Sequence, residues 1–358
     1  MKTKSSKIMR VVTPVMLVLL LALNVFTLYK VYALENGYDE NTEDVAQEND
    51  VSIGDYVIKS TTQISDAYKS GDSSKLSDKD KETLDMAKSV LDGIITDGMT
   101  DYEKELAVYR WMTSNIGFDE NSLSVIPESE TGEVDNPYGV LKYHSAVCVG
   151  YATTFRLFMQ MMNIECMVVH DSYLSHSWDL VKLDGKWYHT DIYADTPGGN
   201  FSHFNVCDRT MMNAQEWNTD FFPAADGYEY NYAYMNKTKC SDVYTIPEFL
   251  RAAIDSNKGV LSFDFGEKVS DDTYNVIEAI MNKIEETAPF AADKSVSLSW
   301  EWLEVPGENV FCIYINYEDN GGDSDPEAGL DAATRQRIDS AVTKAFGASV
   351  NNGSEAVG

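Results

Sequence analysis

Positive charge is scarce in this chain. Lys and Arg together number 28 against 58 Asp plus Glu, a formal net charge of −30 over 358 residues. A surface with that surplus repels phosphate backbones, which sets nucleic acid aside as a partner. Cysteine is sparse and odd in number, at Cys148, Cys166, Cys207, Cys240 and Cys312. Such a set is not a disulfide framework, although one bridge, such as Cys207 with Cys240, is compatible with an oxidising compartment. There is no Cys-x-x-Cys pair and no Cys/His cluster with metal-ligand spacing. Nothing in the sequence requires calcium or a redox cofactor. No repeat of solenoid period is present either.

Apolar runs of membrane length are confined to one place. Lys2, Lys4, Lys7 and Arg10 (1–10, a cytoplasmic N-terminus) precede Val11–Leu28, which is long enough to cross a bilayer. The basic flank stays inside and sends the rest of the chain out. Residues 11–34 are therefore expected to be a signal peptide cut after Val31-Tyr32-Ala33 or an uncleaved signal anchor. The length of the run and Lys30 behind it favour the anchor. Residues 35–50 carry seven acids and no base. They have too little apolar surface to order themselves and read as a solvated linker.

What remains is of globular composition, 44% apolar. Ser77 is expected to start a helix with Leu84, Ala87, Val90 and Leu91 on one face, and Thr100-Asp101 a second with Leu106, Tyr109 and Met112. Glu120–Asn136 reads as a polar surface loop. Cys148 stands where an apolar helix begins, running through Tyr151–Met162. The period then changes to strands over Ile164–His170, His176–Leu183 and Lys186–Ile192, with Asp184-Gly185 as a hairpin turn. The strict alternation of Tyr228, Tyr230, Tyr232 and Tyr234 suggests a strand with one aromatic face, packed in the core or a cleft wall. After Cys240 the pattern reads helix (Pro247–Asp255), strand (Gly259–Phe265), helix (Asp272–Glu286) and two strands (Val296–Leu303, Asn309–Tyr317). Asp319–Glu327 is Gly- and acid-rich, and Asp331–Phe346 is a candidate last helix.

Three residues carry candidate chemistry. A cysteine nucleophile needs a partner that takes and returns a proton, and something to orient that partner. Cys148 at a helix start meets free N–H groups and the positive end of the dipole. Small Gly150 and Ala152 let that first turn pack closely against a sheet. His176 opens a strand. Asp191 lies in the apolar context Tyr188–Ile192, where a carboxylate is out of place without a partner. Taken singly, each has an ordinary structural explanation, since a cysteine at a helix start is usually a small hydrophobe. The hairpin joins two of them. With a two-residue turn Leu183 pairs with Lys186, Trp178 with Asp191 and His176 with Tyr193, so His176 and Asp191 share a face as diagonal neighbours. Asp195 has the same parity but precedes a Gly-rich turn, where its carboxylate is expected to be loosely held.

The run AVCVGYATTFRLFMQMMNIECMVV followed by HSWDLVKLDGKWYHTDIYADTP resembles the transglutaminase-like cysteine acyltransferase superfamily. That family shows a Cys followed by x-Gly-Tyr-Ala on a helix, a His-Ala/Ser-Trp strand, and an Asp closing the next strand. The upstream MTDYEKELAVYRWMTSNIGFD and the downstream SHFNVCDRTMMNAQEW and FFPAADGYEYNY are also similar to it, so the resemblance runs over about 96–236. It implies Cys148 as nucleophile, His176 as base, Asp191 as orienter, and no cofactor. It also implies an α+β, papain-like core with the nucleophile helix on an antiparallel sheet. Ile192-Tyr193 depart from the Thr-Trp common after the family's Asp and alter a pocket wall.

The expected organisation is thus a catalytic domain over 51–240, a small α+β module over 241–320 and a flexible acidic segment with a C-terminal helix or tail over 321–358. The expected activity is extracytoplasmic acyl transfer on protein or peptide amides, as cross-linking, deamidation or peptide hydrolysis. Its partners are a protein or peptide substrate and the membrane, held through the N-terminal helix. The backbone N–H of Cys148 is one expected oxyanion donor, with Tyr143 and His144 as candidates near a second. The competing expectation is a non-catalytic cell-surface module that holds a peptide or a wall component.

Overall fold

A computed structural model describes residues 50–53, 56–119, 133–173, 175–196, 199–287 and 295–318. The membrane-length run, most of the acidic linker, most of the 120–136 loop, the 319–327 segment and the 331–346 helix lie outside the described residues. Among those described, no helix is long and apolar enough to cross a membrane.

In chain order, a hairpin of β1 (Val51–Ile53) and β2 (Tyr56–Ile58) leads to α1 (Thr62–Ser70), α2 (Asp78–Ile94) and α3 (Asp101–Asn115). The short β3 (Gly117–Phe118) pairs in parallel with β4 (Ser145–Ala146), and α4 (Pro137–Tyr143) lies between them in sequence. The central α5 (Cys148–Met161) is followed by β5 (Cys166–His170), β6 (Ser177–Leu183), β7 (Lys186–Thr190), the single turn α6 (Ile192–Asp195) and β8 (Phe204–Val206). Then come α7 (Asp208–Met211), α8 (Tyr232–Met235), β9 (Thr238–Lys239), α9 (Ile246–Asp255), β10 (Val260–Asp264), α10 (Asp271–Thr287), β11 (Ser295–Val305) and β12 (Glu308–Glu318). The fold is α+β, with one sheet in the order β5-β6-β7-β8, wholly antiparallel, and another in the order β11-β12-β10-β9.

Compactness divides the chain into Met1–Ala288 with Ser297–Asn316, and Pro289–Val296 with Tyr317–Gly358. Of the second unit, the described residues are 295, 296, 317 and 318, at the ends of β11 and β12.

Local chemistry accounts for the scaffold helices. Ser77 caps α2 by accepting from the Asp80 N–H at 3.1 Å. Thr100 and Glu103 close a reciprocal capping box on α3. Along those helices Leu84, Ala87, Leu91, Tyr109 and Met112 are buried. The α5 helix has no solvent face, and Gln160 is the one residue in it that is not buried. That explains its near-continuous apolar sequence. Helices α1, α3 and α4 pack around it, and β5 and β6 lie against it. Phe155 and Phe158 share a cluster with Val181, Leu183, Tyr188 and Phe204 of the sheet. Val260, Val310, Cys312 and Tyr314 of the second sheet belong to the same cluster.

The hairpin turns on Asp184 (φ 48°) and Gly185 (φ 83°), the positive-φ pair that a two-residue hairpin requires. Leu183 faces Lys186, and the register continues to Asp179 opposite Thr190. The one irregularity of β7 lies on its other side, at His189/Thr190 against β8.

Two local expectations are corrected. The 228–234 segment is not a strand. Asn231 accepts from the Tyr234 N–H at 2.9 Å and starts the turn of α8 instead. Its tyrosines still pack against the core: Tyr230 stacks on Tyr102 at 5.4 Å and Tyr232 on Phe201 at 3.8 Å. Of the two small residues of α5, Ala152 shares a cluster with Val168 of the sheet, but Gly150 faces a different neighbour from the one expected. A Cβ on Gly150 would fall 2.1 Å from the Val134 carbonyl oxygen, so this glycine admits the incoming loop rather than the sheet. The described cysteines are all free, Cys207 and Cys240 included.

Candidate active site

Cys148 is the first residue of α5. Gly150 and Tyr151 turn their N–H groups back onto the Val147 carbonyl, at 2.9 and 3.1 Å. Among the described residues no backbone acceptor takes the Cys148 N–H. The residue is 7% exposed, so only a small part of it meets solvent.

His176 immediately precedes β6. Asp171 fixes its backbone from both sides: the Asp171 N–H donates to the His176 carbonyl at 3.0 Å, and the His176 N–H donates to Asp171 Oδ1 at 2.9 Å. The same carboxylate accepts from the Ser175 N–H at 2.6 Å and from its hydroxyl at 2.7 Å. The sequence reading does not reach Asp171. Its only signal is an acid at the end of an apolar strand, five residues before His176.

His176 Nε2 meets Asp191 Oδ2 at 2.6 Å, and Cys148 lies near enough to the same imidazole to act on its charge. Burial opposes a charge on this ring. The hydrogen bond and negative charge of Asp191, with Cys148 acting in the same direction, outweigh it and raise the His176 pKa to about 10. Asp191 stands just past the end of β7, not inside a strand as its sequence context suggests. It caps α6, with Oδ1 accepting from the Ala194 N–H at 3.0 Å. One oxygen is thus spent on the backbone and the other on the imidazole, which orients both.

Asp195 is not loosely held. It is fully enclosed and accepts from Tyr109 Oη at 2.7 Å, Ser202 Oγ at 2.8 Å and the His203 N–H at 3.1 Å. Its Oδ1 also meets His203 Nδ1 at 2.9 Å. Ser202 and His203 are both held by this carboxylate. Asp195 therefore has a histidine of its own, a pairing that no sequence pattern announces.

Aromatic rings define the rest. Trp178 stacks on His176 with centroids 5.8 Å apart and planes at 21°, and Tyr193 meets the imidazole at 5.7 Å. Tyr193 also packs on Phe118 at 4.8 Å and Tyr151 at 5.7 Å. His144 donates its backbone N–H to the Val140 carbonyl at 2.9 Å, and its Nδ1 meets the Asn115 carbonyl at 3.0 Å. Tyr143 is an exposed ring. Among the described residues no group of three or more His, Cys, Asp or Glu could hold a metal ion.

The imidazole offers a direct test. His176 is expected to titrate far above its ordinary 6.5, near 10. Because the folded value is the higher one, its pairing contributes stability in full below about 6.5 and loses it as pH rises through about 10. Ring-carbon NMR of His176 should show that midpoint, lowered but still above 6.5 in Cys148→Ala and lowered further in Asp191→Asn. A wild-type midpoint near 6.5 would contradict the pairing.

No curated protein matches this chain. A solved structure titled "Crystal structure of a TGase" aligns with it at 13% identity and a TM-score of 0.28, over 49% of this chain. The chain spans 44% of that protein's length. The family model for the transglutaminase-like superfamily matches residues 88–192. That stretch contains Cys148, His176 and Asp191, and it is a transglutaminase-like core.

Proposed function

We propose that this protein is an extracytoplasmic cysteine acyltransferase acting on protein or peptide amides. In this reading the Cys148 thiolate attacks the amide carbonyl. The His176 imidazolium protonates the departing nitrogen as the C–N bond breaks, leaving a thioester on Cys148. An incoming amine or water then attacks the thioester. His176 takes its proton, and the thiolate leaves. Asp191 holds the imidazole in place and balances its charge in both halves of the cycle. The Cys148 N–H stabilises the oxyanion.

The observation that carries this is the single imidazole with Asp191 at 2.6 Å on Nε2 and Cys148 close enough to act on the charge of the same ring. An imidazole held positive well above neutral pH suits the first half-reaction, since it enters that step as the acid. The extracytoplasmic location rests on the basic flank and apolar run of 1–28. The protein would then work from the outer face of the membrane or, if the signal is cleaved, as a secreted enzyme.

The test is incubation of the protein with a casein-type acceptor and a labelled primary amine. Amine incorporation identifies cross-linking, ammonia release without incorporation identifies deamidation, and new amino termini identify hydrolysis. None of the three, with Cys148 reduced and the protein folded, would overturn the proposal.

A further inference from the structure

Beneath the stacked face of His176 lies a further histidine–aspartate pair, His189 with Asp208, that the reaction does not use. Trp178 is buried, and its one polar group, the indole N–H, donates to His189 Nδ1 at 2.9 Å. His189 Nδ1 must therefore present a lone pair, and its proton must sit on Nε2. There, Asp208 Oδ1 receives it at 2.8 Å. Asp208 is in turn tied to one backbone position: its N–H donates to the Ala225 carbonyl at 2.7 Å, and Oδ1 accepts from the Ala225 N–H at 3.1 Å. Trp217 closes the set, its ring edge-on to His189 at 4.6 Å and to Trp178 at 5.8 Å.

We propose that His189 and Asp208 are positioning residues that set the orientation of the His176 imidazole through Trp178; this rests on the acyl-transfer reading. Leu180 stands opposite His189, so Trp178 and His189 lie on one face of the sheet, and His176 and Asp191 sit two residues beyond them, just outside the ends of β6 and β7. A stacked indole restricts rotation of the imidazole about its side-chain bonds, and the hydrogen bond to Asp191 leaves that rotation partly open. The indole itself is fixed only if its N–H has one acceptor in one place. His189 is completely buried, so no water replaces it. Burial also holds its pKa below the usual value and keeps the ring neutral, which is the form the Trp178 bond needs. Asp208 selects the tautomer, as an outer carboxylate does for a working histidine.

The experiment compares His189→Gln with His189→Leu in the full-length protein. Glutamine can accept from the indole and donate to Asp208, whereas leucine can do neither. With the casein-type acceptor and labelled amine, His189→Leu should lower kcat roughly tenfold to a hundredfold with KM nearly unchanged, the effect of misplacing a reacting group. His189→Gln should restore most of it. The second readout needs no turnover. The His176 ring resonances, shifted by the face of Trp178, should move in the leucine variant and stay in the glutamine variant. If His189→Leu does not fold, Asp208→Ala frees the tautomer, and both readouts should move the same way. A folded leucine or alanine variant with unchanged kcat and unchanged His176 resonances overturns the proposal, as does a glutamine variant as impaired as the leucine one. Should the wild type turn nothing over, the acyl-transfer reading fails, and the resonances alone decide whether His189 orients His176.

Discussion

Replacing Cys148 with alanine should leave a folded protein with no detectable turnover. Alanine fits the first position of α5, where the thiol is buried and forms no bond that the fold depends on. Loss of a covalent nucleophile costs roughly a millionfold in a serine protease, which reads as zero in any practical assay. The matched control is Cys166→Ala. That thiol lies in β5 among Val168 and Val181, with its pKa pushed well above the usual range by burial, and Sγ is 3.5 Å from Asp179 Oδ1. It should cost roughly 1–3 kcal/mol of stability, because buried Asp179 loses a hydrogen-bond partner, and leave turnover near wild type. Alkylation separates reactivity from exposure. Cys207 and Cys240 are both more exposed than Cys148, and burial raises the pKa of Cys240. Iodoacetamide at neutral pH should nevertheless modify Cys148 first, as read by peptide mass spectrometry. If Cys240 or Cys207 reacts faster, Cys148 is a packing residue and the acyl-transfer reading fails with it.

Features that local rules decide are legible in the sequence. The Asp184-Gly185 turn has one favoured geometry, and alternation carries its register outwards, so the pairing of His176 with Asp191 follows from the order of residues along the hairpin. The caps of α2 and α3 are legible for the same reason: a side chain bonds a backbone group three residues away. Features that depend on residues distant in the chain are not. Tyr109 reaches Asp195 across 86 positions and Glu105 reaches Asn205 across 100. No periodicity announces such contacts. The Trp178–His189 bond links two residues that the hairpin places side by side, yet His189 has no special sequence context and resembles any polar residue in a strand. The tyrosines of 228–234 mislead for a different reason. A spacing of two also places Tyr230 and Tyr234 four apart, as on a helix turn, and Asn231 decides between the two by capping.

Asp191 and Asp195 should part company on mutation to asparagine, each failing in its own way. In Asp191→Asn the side chain keeps its shape and its cap to Ala194, so the protein should stay folded, with a melting temperature lowered at neutral pH only by the lost charge pairing with His176. What it loses is the charge opposite His176 Nε2, and an amide can turn its NH2 towards the ring and stabilise the wrong tautomer. Turnover should fall by roughly four orders of magnitude, as when the orienting carboxylate of a triad is neutralised. The His176 midpoint should drop with it. Asp195→Asn should do the opposite. Its carboxylate accepts from Tyr109 Oη, Ser202 Oγ, the His203 N–H and His203 Nδ1, four donors that converge on two oxygens. An amide supplies one oxygen and sets its NH2 against a donor. Leaving a buried donor unmatched costs roughly 1–3 kcal/mol, so the melting temperature should fall clearly. The fraction that stays folded should still turn over, because no atom of Asp195 bonds His176. The two sites are linked through the backbone, where the Asp191 N–H donates to the His203 carbonyl at 3.0 Å and the Asp195 N–H to the Asp191 carbonyl at 3.3 Å, and the Asp191 charge also reaches the His203 ring. Paired melts and rate measurements on the two variants therefore separate a catalytic carboxylate from a structural one four residues away. An Asp195→Asn protein with native melting and no turnover would transfer the orienting role to Asp195.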